Sequence, residues 1–232
     1  QLGKSNLITF DMGGTSTDVS RYDGDFDYIY ELKVGSAHVM SPALTIETVA
    51  AGGGSVCGFD GYRLFVGPES AGANPGPACY GAGGPLTLTD INLLAGKLHP
   101  SNFSIPIYPE AAEKEMASLA SHIEQSSGNK PPLSDLVDGF LAIANEIMAG
   151  AIKKISVLKG YNPARYSLVS FGGAGGLHAC SIASLLGIRQ IIIPEEAGLL
   201  SAFGIGRARI ERFTEKLILQ PIDRFAQHMQ KE

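Results

Sequence analysis

The stretch ITFDMGGTSTDVS (Ile8–Ser20) sets an acid, two glycines and a run of hydroxyl residues between two apolar segments. Leu7–Met12 reads as a short apolar strand and Thr17–Tyr22 as a second, so Asp11 falls at a strand tip and Gly13-Gly14 in the turn. Glycines permit positive φ and let backbone N–H groups approach an anion closely. The hydroxyls of Thr15, Ser16 and Thr17 add donors for phosphate oxygens. A carboxylate at the strand tip suits Mg²⁺, held directly or through water, or the orientation of a nucleophile. The alternative is a plain glycine hairpin with Asp11 as a turn residue. The T-S-T-D run weighs against it, since a plain hairpin has no need of clustered hydroxyls beside an acid.

A second glycine cluster stands at VSFGGAGGLHA (Val169–Ala179). A strand delivers Gly172, Gly173, Ala174, Gly175 and Gly176 to the start of a helix, a geometry that accepts a nucleotide at the helix N-terminus. A dinucleotide fingerprint is the rival. It has strand, glycines, helix and the acids Glu195 and Glu196 about 20 residues on, as such a fingerprint requires. It fails at the third glycine of G-x-G-x-x-G, where His178 stands.

Working outward, Asp27–Val34 reads as a third strand after the Asp23-Gly24 turn. Val66–Pro85, dense in Gly and Pro, reads as a loop without regular structure. Glu69, Ser70 and Asn74 put polar groups into it, which suits a substrate or partner surface. A packed loop that satisfies its own backbone is the plainer account. Helical patterns follow over Thr89–Leu98, Glu110–Ile123 and Leu133–Lys159. The last has Leu136, Phe140, Ile143, Ile147, Ala151, Ile155 and Leu158 on one stripe. Then come a strand at Tyr166–Phe171, a helix at Leu177–Leu186, a strand at Gln190–Pro194, a helix at Leu199–Ile210 and a strand-like tail from Phe213. Three strands, an insertion and then αβαβα make a layered α/β domain.

With 232 residues, 44% of them hydrophobic and 18% charged, the chain can fill a core. The net charge of −5 and the lack of a basic run speak against nucleic acid and anionic membrane surfaces as partners. No apolar run reaches about 18 residues, the length that would suggest a span. Cys57, Cys79 and Cys180 are odd in number and show no C-x-x-C spacing, which fits reduced thiols in the cytoplasm. His38, His99, His122 and His228 have no metal-ligand spacing. A strand begins within a few residues of Gln1, and we expect the chain to be a piece of a longer one.

Six motifs in order, DMGGTSTDVS, AGGGSV, VGPESAGANPGPACYG, LTLTDINLLAGKL, FGGAGGLHA and GLLSAFG, closely resemble the hydantoinase A / 5-oxoprolinase family, which includes acetone carboxylase subunits. The resemblance covers about residues 5–212. It implies an α/β fold, a ribonuclease-H-like lobe of the actin, sugar-kinase and chaperone ATPase type. Such a lobe has a mixed sheet flanked by helices and a Gly/Pro-rich insertion. Residues 1–232 would form one such lobe, with the insertion over about 36–130. DMGGTSTD resembles the second phosphate loop of that superfamily, and FGGAGG its adenosine motif. A further D-x-G-G-T motif, which family members carry in an N-terminal lobe, does not occur in this sequence, so the chain resembles the second lobe alone. Gly176 stands where the family commonly has Pro.

The resemblance implies ATP and Mg²⁺ as cofactors and the opening of a cyclic amide, a hydantoin or 5-oxoproline ring, by phosphorylation of its carbonyl oxygen. Asp11 would hold Mg²⁺ through water or orient the attacking oxygen, and Asp18 would support the loop or a metal-bound water. Gly13, Gly14, Thr15, Ser16 and Thr17 would contact phosphate; Gly172, Gly173 and Gly175 would let adenosine lie against backbone. His178 would make a structural hydrogen bond near the nucleotide, with catalysis or a substrate or partner contact as the other roles. A hydantoinase B-type subunit is the partner the family implies. A ketone carboxylase subunit, a nucleotide-gated binding module and a small-molecule kinase are the competing functions.

Overall fold

Alternation in the first two strands builds the centre of the sheet. In β1 (Asn6–Met12) Ile8, Phe10 and Met12 are fully buried, and the residues between them are half-buried. β2 (Thr17–Asp23) returns antiparallel, with Met12 opposite Thr17, Phe10 opposite Val19 and Ile8 opposite Arg21. One face therefore carries the apolar side chains, and the other carries Thr9, Asp11, Asp18 and Ser20.

The computed structural model describes residues 3–208 and Leu219. After β2 the chain forms β3 (Tyr28–Val34) and β4 (Ala37–Leu44), an antiparallel hairpin apart from the main sheet. β5 (Ile46–Val49) then pairs antiparallel with β2. A second hairpin, β6 (Ser55–Phe59) and β7 (Leu64–Ser70), precedes α1 (Leu88–Leu94), α2 (Pro109–Ser127) and α3 (Leu133–Ile155). The chain closes the sheet with β8 (Ser167–Phe171), α4 (Gly175–Leu186) and β9 (Ile191–Ile192), followed by α5 (Leu200–Arg207). The strand order is β5-β2-β1-β8-β9, with β8 parallel to β1 and β9 parallel to β8. The architecture is a mixed sheet flanked by helices, as the α/β expectation had it.

Several boundaries differ from the expectation. The third strand of the sheet is Ile46–Val49, not Asp27–Val34, which pairs with Ala37–Leu44 instead. Ile46–Val49 lies inside the stretch 36–130 expected to be an insertion, so the excursions from the sheet are two, one on each side of that strand. Val66–Ser70, expected to be structureless, forms the end of β7 by pairing with β6, and Ala78–Tyr80 is a 3-10 turn. The strand-like segment expected over 213–225 lies, but for Leu219, outside the described residues, as does His228.

The core lies between the apolar face of the sheet and the helices. α3 packs across β2 and β5, and α4 across β8 and β1. Leu136, Phe140, Ala144, Met148, Ile152 and Ile155 of α3 are buried at helical spacing. Burying each of the large ones contributes roughly 1.5–3 kcal/mol. Ser156 leaves helical geometry at φ −121 and ψ −80, with its hydroxyl donating 2.6 Å to the Ile152 carbonyl, and this ends α3. Leu158, expected on the buried stripe, is 78% exposed as a result.

Candidate functional site

Because β1 and β8 are parallel neighbours, both glycine clusters leave the sheet at the same edge. The carboxyl ends of parallel strands are where open α/β sheets bind ligands. Gly172 has φ +80, and a Cβ there would collide with Asp11 Oδ1 and the Met12 carbonyl oxygen. Only glycine satisfies both demands. The Ala174 N–H donates 3.0 Å to the Met12 carbonyl, which stitches the second cluster to the end of β1.

The loop after Asp11 is held from behind. Its turn closes through Gly13 N–H to the Ser16 carbonyl at 3.1 Å. Gly53 and Gly54, from the AGGG segment, donate to the carbonyls of Gly13 at 3.0 Å and Gly14 at 2.6 Å. Thr17 Oγ1 donates 2.6 Å to the Ala51 carbonyl. A Cβ on Gly52 would sit 2.6 Å from the Thr15 nitrogen and 2.7 Å from that of Ser16, so backbone packs on backbone here. The carbonyls of Gly13, Gly14 and Ser16 are thus occupied. The N–H groups of Gly14, Thr15 and Ser16 donate to no acceptor among the described residues. Gly14 and Thr15 are also exposed. Successive unspent amides beside hydroxyls form a concavity suited to an anion. Across from them α4 begins at Gly175 without a side-chain cap, and the N–H groups of Gly173, Gly175 and Gly176 are likewise unspent among the described residues. The positive end of the α4 dipole faces the same edge.

Asp11 is half-buried, and its Oδ2 accepts a 2.6 Å hydrogen bond from Ser201 Oγ of α5. Asp18 stands opposite it in register, with Oδ1 held at 2.5 Å by Thr48 Oγ1 of β5. These donors are all oxygen, the hard set that suits Mg²⁺. Among the described residues no three His, Cys, Asp or Glu side chains converge as a ligand group. A cation beside Asp11 would therefore keep waters and take the rest of its ligands from phosphate.

His178 lies elsewhere. It is fully buried, with Nε2 accepting from Asn92 Nδ2 of α1 at 3.1 Å and Nδ1 paired to Asn145 Oδ1 of α3 at 2.8 Å. Asn92 Nδ2 also donates to the Leu88 carbonyl at 2.9 Å, which fixes the tautomer as Nδ1–H. Burial, then the Lys97 charge, lower its pKa to about 4, so the ring is neutral. With no exposed surface it does not reach a substrate or a partner. It braces three helices instead.

The 66–85 loop divides into an anchored part and a free rim. Asp90, fully buried in α1, accepts from the N–H groups of Ala78 at 3.1 Å, Cys79 at 2.8 Å and Thr87 at 2.7 Å, and from the Thr87 hydroxyl at 2.8 Å. Glu69, Ser70 and Asn74 are exposed. Ser70 comes close to the phosphate-loop side, since its Oγ lies 2.9 Å from where a Gly54 Cβ would be. The sequence reading missed Gly52, Asp90, Asn92, Asn145 and Ser201. The AGGG, LTLTDINLLAGKL and GLLSAFG motifs were visible signals for Gly52, for Asp90 and Asn92, and for Ser201, but Asn145 offers none.

The chain has counterparts among known proteins. The chain is 45% identical over 216 residues to 5-oxoprolinase PfmaA of Pestalotiopsis fici, covering 90% of this chain and 17% of that protein. It is similar to the crystal structure of the ATP-dependent caprolactamase from Pseudomonas jessenii, with TM-score 0.78 and 34% identity over 87% of this chain and 29% of that one. It is also similar to a nucleotide-free acetone carboxylase structure, with TM-score 0.76 and 27% identity over 88% of this chain and 29% of that one. The chain thus spans a small part of the proteins it matches. The hydantoinase/oxoprolinase family model matches residues 1–213, and the chain belongs to that family.

Proposed function

We propose that this chain is the nucleotide-binding lobe of an ATP-dependent enzyme that opens a cyclic amide of the hydantoin or 5-oxoproline type. The observation that carries the reading is the pair of glycine clusters brought to one sheet edge, with unspent N–H groups on both sides of Asp11. The 5-oxoprolinase and caprolactamase likenesses support the substrate class.

An unstrained amide resists attack, and phosphorylating its oxygen makes the carbon electrophilic enough for water. The chain's task is then to place phosphoryl groups and neutralise charge. The amides of Gly14, Thr15 and Ser16 and the hydroxyls of Thr15 and Ser16 hold the β and γ phosphates; the Gly13 N–H and the buried Thr17 hydroxyl, expected to join them, are spent on the Ser16 and Ala51 carbonyls and shape the loop instead. Gly172 and Gly173 give adenosine a backbone surface, whereas Gly175, expected to share it, is buried and lets α4 pack against Ser170 and Phe10. Asp11 holds Mg²⁺ through water, with Asp18 in a supporting place; the bound ion supplies charge neutralisation. Glu69, Ser70 and Asn74 border the site as substrate or partner contacts. The protein works with a hydantoinase B-type subunit. Its buried Cys57 and Cys79 thiols suit a reducing compartment such as the cytoplasm. No described helix is long and apolar enough to cross a membrane.

The test is ATP hydrolysis by the intact protein against 5-oxoproline, hydantoins, lactams and ketones. Stimulation by cyclic amides supports the reading. The acetone carboxylase likeness carries a second one, carbonyl activation of a ketone, and stimulation by ketones alone would favour it. ATP turnover indifferent to all four would point to a nucleotide-gated module. Asp11→Asn should abolish turnover with the fold intact.

A further inference from the structure

Ser201 belongs to the GLLSAFG motif, and the proposed function gives it no part. The segment carrying it is fixed at two points to the site. The Gly172 N–H donates 2.9 Å to the Ala197 carbonyl, just before α5. One helical turn on, Ser201 Oγ donates 2.6 Å to Asp11 Oδ2. The other carboxylate oxygen, Oδ1, lies against Gly172, where a Cβ would strike it. One oxygen of Asp11 thus meets a donor distant in sequence, and the other takes the space that the absent Cβ of Gly172 leaves. The other described contacts of α5 are few, and its apolar residues Phe203 and Ile205 are 54% and 77% exposed. The Ser201 hydrogen bond is therefore a principal tie between this helix and the sheet.

We propose that Ser201 is a positioning residue for Asp11, fixing the orientation of its carboxylate from the first turn of α5. The proposal rests on the assignment of Asp11 made above. A hydroxyl that donates to one oxygen removes rotation about χ2 and presents the remaining lone pairs in a single direction. Chemistry that depends on that direction is lost when the carboxylate swings freely, and misplacement on the order of 1 Å can cost about 100-fold in rate. Ser201 touches no substrate atom in this account and acts only through Asp11.

The experiment compares Ser201→Ala, Ser201→Thr and Asp11→Asn in the intact protein. For Ser201→Ala we expect kcat of ATP turnover to fall by roughly 10- to 100-fold with KM for ATP changed less than about threefold. Mn²⁺ binding in the presence of ADP, followed by electron paramagnetic resonance, should weaken in parallel. Ser201→Thr keeps the hydroxyl and should restore both. A purely structural role would lower the thermal midpoint without this kcat-against-KM split and without rescue by Thr. Full turnover and metal affinity in Ser201→Ala, with Asp11→Asn inactive, would overturn the positioning role alone. Faster turnover in Ser201→Ala would also overturn it, making the contact a lock. An active Asp11→Asn would instead remove the assignment on which it rests.

Discussion

His178 offers a quantitative test of how the helices are joined. Its Nε2 accepts from Asn92, and its Nδ1–H meets Asn145 Oδ1, so a second ring proton would point at an amide N–H in a site without water access. Burial, with Lys97 adding to it, depresses the folded-state pKa from 6.5 to about 4. Below pH 6.5 the unfolded chain binds a proton that the folded chain refuses until about pH 4. Stability from this group is therefore complete above the unfolded pKa and is lost as pH falls through that window. At 1.36 kcal/mol per unit, the loss is about 3 kcal/mol. Carboxylates also titrate in acid, so the measurement is differential: urea denaturation of the wild type and of His178→Gln between pH 7 and pH 4. Glutamine can donate to Asn145 and accept from Asn92 but does not titrate. The wild type's advantage should shrink by about 3 kcal/mol across that range. A gap constant with pH to within about 0.5 kcal/mol would refute the buried, neutral assignment.

Other substitutions test the site and its supports. Gly52→Ala should cost roughly 1–3 kcal/mol by overpacking against Thr15 and Ser16. It should also weaken nucleotide binding in a fluorescent-ADP titration. Gly172→Ala, strained by its positive φ and by Asp11, should lose ATP turnover at least as severely as Ser201→Ala in a coupled ATPase assay. Asp90→Ala leaves the Cys79 and Thr87 N–H groups without their acceptor and the Ala78 N–H with the Pro85 carbonyl alone. It should destabilise the protein by about 3 kcal/mol or more and make the 66–85 loop susceptible to limited proteolysis. Cys57 and Cys79 are buried, and burial followed by the nearby Asp90 charge pushes both thiols up. Exposed Cys180 should therefore be alkylated first, as peptide mass mapping after brief iodoacetamide treatment would show.

How much of this was legible depended on whether the signal was local. Period-two burial in Ile8–Met12 and three-to-four spacing in α3 are imposed by the backbone, and both elements appear where the pattern places them, the C-terminal end of α3 excepted. The glycine clusters were visible because glycine runs are locally unusual. Ile46–Val49 was not legible as the third sheet strand. Tyr28–Val34 has the same alternation, and only the choice of partner decides which one joins β2. The end of α3 was misplaced because Leu158 continues the apolar period while Ser156 bonds back to Ile152 and breaks the helix. The brace of Asn92, Asn145 and His178 was hidden for another reason. A buried amide paired to a residue 86 positions away has the same letter as one in water. Ser201 is the extreme case, meeting Asp11 across 190 residues.

The close backing of the phosphate loop by Gly52 bears on portability. The segment Gly13–Ser16 closes a single hydrogen bond of its own, and its remaining support comes from residues 51–54, themselves tied to α1 through Thr89. Transplanting DMGGTSTD into another hairpin would carry the letters without the mould. The smallest unit that could be moved between proteins as a working part is the loop together with the AGGG segment and the helix behind it.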